Sequence, residues 1–275
     1  MKPYIARPED GAAWVTGASS GIGRSLALQL AEKGFTVCVT ARRGEALQAL
    51  AVDAQGLAGR IVPMPGDATD ADAMVTIVET IARDHGGLSL VVLNAGAYEP
   101  VHAETMKLED FDKTFSVNLG GSVRGLLPSV EAMRRAERGQ IVLVASVTGY
   151  GGLPTSAAYG ASKAALINMA ESLKFDLDKL GIRIQVVNPG FVDTPATADN
   201  DFKMPALMQP EDAARRIVKG IGSKSFEISF PRRFTGFLKM LQFLPYSGYF
   251  AAVNRFTGWP KRPLEDEGGE TGGKN

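Results

Sequence analysis

Cysteine is almost missing from this chain: Cys38 is the single one in 275 residues. One thiol cannot form an internal disulfide, so the fold is no disulfide scaffold and suits a reducing compartment. Cys38 sits in the apolar run FTVCVT, which marks it as a buried, inert thiol. Histidine is nearly as scarce, with His85 and His102 alone. Two His and one Cys are too few for a structural zinc site, and no metal is expected. Net charge is missing too: thirty basic residues balance thirty acidic ones, which argues against a nucleic-acid partner. No apolar run reaches the roughly 18 residues of a conventional transmembrane helix. The opening MKPYIARPEDG also lacks the apolar core of a signal peptide. These absences lead to an expectation of a soluble cytoplasmic protein.

What is present is a regular alternation. Short β-rich runs at 12–17, 35–41, 61–67, 88–96, 140–146, 182–190 and 225–230 are separated by helical patterns at 23–34, 70–86, about 107–137, 158–181 and 210–222. Leu26 and Leu30, and later Leu166, Met169, Leu173 and Leu177, recur at the spacing of a helix that buries one stripe. Near-continuous apolar strands between helices point to a parallel sheet covered on both faces. The fold expected is α/β, a doubly wound parallel sheet of Rossmann type. Its single domain spans 1–230, with an apolar and aromatic helical extension over 231–260. The remainder, 261–275, ends in EDEGGETGGKN and is expected to be a disordered tail.

The first strand runs into TGASSGIGRSLALQL, placing Gly17, Gly21 and Gly23 at the turn into the first helix. Glycines let backbone approach a pyrophosphate, and a helix N-terminus offers free N–H groups and partial positive charge. The spacing is GxxxGxG, not the common GxGxxG. An acidic residue is expected at the end of the second strand if the cofactor is NAD. Here the strand ends VTARRGE, so Arg42 and Arg43 stand there instead. Guanidinium groups suit the 2′-phosphate of NADP, and NADP(H) is the expected cofactor.

Tyr159 and Lys163 in AAYGASKAAL share one helix face. They could be a proton donor beside a cation, or a surface Tyr that happens to precede a Lys; spacing alone does not choose. Ser146, read as a hydrolase nucleophile, has neither a G-x-S-x-G elbow nor an evident His partner.

Taken in order, TGASSGIG (16–23), GDATD (66–70), NAGA (94–97), VNLGGS (117–122), VASVTGYGG (144–152), YGASK (159–163) and NPGFVDTP (188–195) resemble the motif series of the short-chain dehydrogenase/reductase family over about residues 10–230. The resemblance implies a cofactor site made of Gly17, Ser19, Ser20, Gly21, Ile22 and Gly23, then Arg42 and Arg43, then Asp67 and Ala68. Asn94, Ala95 and Gly96, and Pro189, Gly190, Val192 and Thr194, would complete it, with Tyr159 and Lys163 touching the cofactor as well. It implies catalysis by Asn118, Ser146, Tyr159 and Lys163. Tyr159 would protonate a carbonyl oxygen oriented by Ser146. Lys163 and the positive nicotinamide ring of the oxidised cofactor would lower the Tyr159 pKa; Lys163 would also hold the nicotinamide ribose, and Asn118 would bind a proton-relay water. Gly120 and Gly121 after Asn118 independently suggest a disturbed helix that could release a carbonyl.

Phe191, Phe202, Met204, Leu207 and Met208 make the segment 191–210 apolar and suggest an apolar substrate, although ordinary packing explains them equally well. In the extension, Phe234, Phe237, Leu238 and Leu241 precede Pro245, and Phe250, Val253 and Phe256 follow it, as two amphipathic helices. Three readings stay open for 232–257: a cover on the domain, a subunit interface, or a peripheral membrane contact. The whole suggests an NADPH-dependent oxidoreductase of apolar ketones, aldehydes or secondary alcohols, expected to be a homo-oligomer. A catalytically idle NADP sensor on the same fold is the alternative.

Overall fold

The computed structural model describes residues 3–197 and 204–264. Seven strands, β1 (Ala12–Thr16), β2 (Thr36–Thr40), β3 (Arg60–Pro63), β4 (Leu88–Leu93), β5 (Gly139–Val144), β6 (Ile182–Pro189) and β7 (Glu227–Phe230), form one sheet in the order 3-2-1-4-5-6-7. Every pairing is parallel; Val15, for example, lies opposite Val39 of β2 and Val92 of β4. The order reverses between β1 and β4, and the crevice beyond their carboxyl ends is where such sheets bind ligands.

Both faces are covered, because successive strand residues point to opposite sides. Ala13 and Val15 of β1 join Val37, Val39, Leu90 and Val142 under α1 (Gly21–Glu32), α2 (Gly44–Asp53) and α7 (Pro210–Ile221), which bury Leu26, Leu30, Leu47 and Ile217 there. Ala12 and Trp14 join Cys38, Val91 and Ile141 beneath α3 (Ala71–Asp84), α5 (Gly121–Arg135) and α6 (Ala157–Leu177), with Met74, Met133 and Leu166. The fully buried Trp14 donates its indole N–H to Thr40 Oγ1 at 2.9 Å, so its polar handle is satisfied inside the core. Cys38 is buried as expected, and burial pushes its thiol up to about 12.

Two elements differ from the sequence reading. Helix α2, following Arg43, was not anticipated; its short amphipathic stretch buries only Leu47 and Leu50, too few to show a clear period. The long helical region expected at 107–137 is α4 (Leu108–Phe115), a π-helical turn over Ser116–Gly120, and then α5. The anticipated disturbance near Asn118 therefore takes the form of a wider helical turn.

The extension folds into α8 (Arg232–Leu241) and α9 (Tyr246–Thr257), with Pro245 as the N-cap of α9. Leu238, Leu241 and Val253 pack on Val147 in a small third core. Glu227 fastens this unit to the sheet: it accepts hydrogen bonds from Tyr150 and from Asn188 (2.7 Å) and pairs with Lys239. Phe202 and the tail from residue 265 onward lie outside the described residues.

Candidate active site

The carboxyl ends of the strands open into a cavity of about 1000 Å³. Its first wall is the β1–α1 loop. Gly17 has φ +67°, and a Cβ there would stand 2.7 Å from the Ala95 Cα. At Gly23 a Cβ would meet the Gly17 carbonyl oxygen at 2.4 Å, so no larger residue lets helix and loop approach this closely. Ser20, the N-cap of α1, is extended and makes no side-chain cap, which leaves the first N–H groups of the helix to face the cavity. This cradle fits a pyrophosphate, and the site as a whole fits a nicotinamide dinucleotide.

Thr16, which the sequence reading passed over, organises the junction. Its hydroxyl accepts from Asn94 N at 3.0 Å and Ala95 N at 3.1 Å, while Asn94 Nδ2 donates to the Thr16 and Gly17 carbonyls. Asn94 is thus the strut that holds the end of β4 against the glycine loop. At the end of β2, Arg42 and Arg43 both line the cavity, and Arg43 Nη2 donates to Ser19 Oγ at 3.1 Å. Asp67 and Ala68 line the same wall. The Thr69 amide and hydroxyl, both bonded to Asp67 Oδ1, hold that carboxyl below its ordinary pKa.

The opposite wall carries Ser146, just past β5, and Tyr159 and Lys163 on α6. Tyr159 keeps one side toward the cavity but is otherwise enclosed by protein. Burial pushes its hydroxyl up to about 12, a hydrogen bond from Ser146 pulling the other way. Lys163 is 3% exposed, and burial brings its ammonium down to about 8. Its Nζ donates to the Val144 carbonyl at 2.9 Å and lies 5.5 Å from the Tyr159 ring centre. The amine is engaged by that carbonyl beside the Tyr159 ring, and desolvation is the largest influence on the phenol.

Asn118 stands behind the cavity wall, on the π-helical turn. It is fully buried and does not line the cavity; nor does Gly23. Its Oδ1 accepts from Ala97 N at 2.8 Å, and its Nδ2 donates to Ala97 O and Ser162 Oγ at 3.0 Å each. Both side-chain N–H donors are engaged, and Ser122 Oγ donates to its backbone carbonyl at 2.7 Å. The π-turn thus turns Asn118 into a brace between the β4 loop and α6. All the other residues of the implied cofactor and catalytic sets, from Gly17 to Thr194, line the cavity.

At the substrate end, sequence reasoning named Phe191, Phe234, Leu238 and Phe256 without placing them, and missed Tyr98, Thr155 and Trp259. Tyr98 packs edge-on against Tyr159 at 5.1 Å and shares a 3.0 Å hydrogen bond with Thr155. Phe191 meets Phe234 of α8 at 5.8 Å, and Phe234 meets Phe256 of α9 at 6.4 Å. With Leu238 and Trp259 these rings roof the cavity, so the segment 232–257 does cover the domain, whatever its outer face meets. The contributing signal was helical aromatic spacing, whose target only the folded chain reveals.

Comparison with known proteins agrees with this geometry. Residues 11–204 match the model of the short chain dehydrogenase family. An uncharacterized oxidoreductase of Myxococcus xanthus is 40% identical over 88% of this chain and 96% of its own length. The 3-oxoacyl-[acyl-carrier-protein] reductase FabG of Thermotoga maritima is 35% identical over 78% of this chain and 85% of its own. The crystal structure of a short-chain type dehydrogenase/reductase from Mycobacterium marinum superposes with a TM-score of 0.74 at 26% identity, covering 81% of this chain and 94% of that one.

Proposed function

The chain belongs to the short-chain dehydrogenase family, and from that membership we propose an NADPH-dependent reductase of apolar ketones or aldehydes, able to run in reverse on the matching secondary alcohols. One observation carries the reading: Ser146, Tyr159 and Lys163 converge on one wall, facing the glycine loop across a roofed cavity. Bound NADPH would supply the hydride to the carbonyl carbon. The Tyr159 hydroxyl, with a pKa near 12, stays protonated at neutral pH and donates its proton to the oxygen as the C–O⁻ charge develops. Ser146 donates a hydrogen bond to the same oxygen and fixes its position. Lys163, charged below a pH of about 8, adds positive potential behind Tyr159 and an N–H for the ribose.

Preference for the 2′-phosphorylated cofactor is supported by Arg42 and Arg43 at the end of β2, where NAD enzymes place an acid. Arg43, held on Ser19, keeps a guanidinium beside the glycine loop, where it would meet the 2′-phosphate. An apolar substrate is supported by the phenyl rings that line the cavity together with Tyr159. The relative from Thermotoga maritima, named as a reductase of 3-oxoacyl groups, supports the reductive direction. Assembly into a homo-oligomer is part of the proposal, supported by Leu127 and Phe175, 66% and 75% exposed on α5 and α6. Among the described residues no helix is long and apolar enough to cross a membrane, which suits the proposed cytoplasmic location.

The test follows NADPH oxidation at 340 nm against a panel of ketones and aldehydes, with wild type and Tyr159→Phe in parallel. Turnover that drops by about 100-fold or more in Tyr159→Phe is the expected result. Tight NADPH binding with no turnover on any carbonyl or alcohol would instead favour a cofactor sensor.

A further inference from the structure

We propose that the α8–α9 hairpin docks on an anionic lipid surface and holds the mouth of the cavity against it. The first observation is charge. From Pro231 to Leu264 the chain carries Arg232, Arg233, Lys239, Arg255, Lys261 and Arg262 and no Asp or Glu, in a protein whose whole charge is balanced. Arg232 and Arg233 stand in the first turn of α8, where positive charge opposes the helix dipole. Neither they nor Arg255 form an ion pair with a described residue, so no contact within the described chain explains them. An anionic surface does.

The second observation is exposure. Met240, Phe243, Tyr246 and Phe250 surround the turn between the helices and are 69%, 88%, 81% and 57% exposed. Tyr246 and Phe250 stack at 6.0 Å and form an aromatic tip at the turn, while Arg232, Arg233 and Arg255 stand at the far ends of the two helices. Laid flat on a membrane the pair presents both, the composition of an interfacial helix pair. The acidic residues after Leu264 lie outside the described residues and beyond this basic stretch.

The third observation ties tip to site. Exposed Phe237 contacts Phe256 at 5.9 Å, Phe256 contacts Phe234, and Phe234 contacts Phe191 at the cavity wall. A continuous row of phenyl rings thus runs from the hairpin surface to the cavity. An apolar substrate dissolved in the bilayer can follow it without crossing water, a consequence that rests on the carbonyl-reductase reading; the docking itself does not.

The experiment is co-sedimentation of the full chain with phosphatidylcholine vesicles, with and without phosphatidylglycerol. Wild type is compared with Phe243→Ser/Tyr246→Ser and with Arg232→Glu/Arg233→Glu. Phe243 and Tyr246 lie outside the cavity lining, so turnover of a water-soluble carbonyl and the melting curve should stay unchanged. Wild type should sediment with the anionic vesicles only, and each double variant should lose about tenfold or more of that partitioning. The proposal is overturned if wild type ignores anionic vesicles, or if both variants bind as wild type does. It is equally overturned if the hairpin proves to join two copies of the chain, seen as an oligomer that Phe243→Ser/Tyr246→Ser splits. Vesicle binding without any carbonyl turnover would refute the reductase reading and leave the docking standing.

Discussion

Lys163→Met should abolish turnover yet stabilise the fold. Lys163 is 3% exposed, forms no ion pair with a described residue, and has its ammonium brought from 10.5 to about 8 by burial. That fall corresponds to roughly 3 kcal/mol of lost folding free energy at neutral pH. The sign follows from proton counting. Between about 8 and 10.5 the unfolded chain binds more protons than the folded one, so stability rises with pH across that window. Below it the cost is carried in full. Methionine keeps nearly the same volume without the charge, but leaves the Val144 carbonyl without the Lys163 donor, at about 1 kcal/mol. The net expectation is about 2 kcal/mol of stabilisation, or roughly 4–8 °C in Tm at neutral pH. Urea melts of wild type and variant across the window measure it, and the advantage should shrink as pH rises toward 10.5. A variant that is no more stable at neutral pH, or whose advantage does not change with pH, would refute the account of Lys163 as a charge buried for function at the expense of stability.

Arg42→Asp with Arg43→Asp removes both guanidinium groups and places carboxylates against a 2′-phosphate; NADP affinity should fall by about 100-fold while NAD affinity changes little, read by cofactor titration. Phe234→Ala opens the roof between Phe191 and Phe256; KM for bulky apolar carbonyls should rise more than kcat falls, which steady-state kinetics will show. Gln140→Leu should cost about 2–4 kcal/mol in a urea melt, because buried Gln140 accepts from Ala6 N and donates to Gln185 Oε1 and the Ile221 carbonyl, and leucine leaves those groups unpaired.

Most of the sheet was legible because its strands are short apolar runs between turn residues, and all seven appear within a few residues of their expected ends. The glycine loop was legible because close approach and a positive φ at Gly17 leave chemistry no other residue. Helix α2 escaped because two buried leucines in ten residues make too faint a stripe. Asn118 shows the harder limit: the glycines after it signalled an irregular helix, but not that the turn widens and spends its side chain on Ala97 and Ser162.

By itself, then, the sequence determined the alternation of strand and helix, the approach of backbone at Gly17 and Gly23, and the absence of an acid after β2. Each is a local matter of pattern or backbone freedom. Only the tertiary structure decided that Thr16 and Asn94 tie two strand ends together, and that Lys163 donates to the Val144 carbonyl. It decided too that rings from 191, 234 and 256 close one roof. Those are distances between residues remote in the chain, and burial, which fixes the pKa values of Tyr159 and Lys163, exists only once the chain has folded around them.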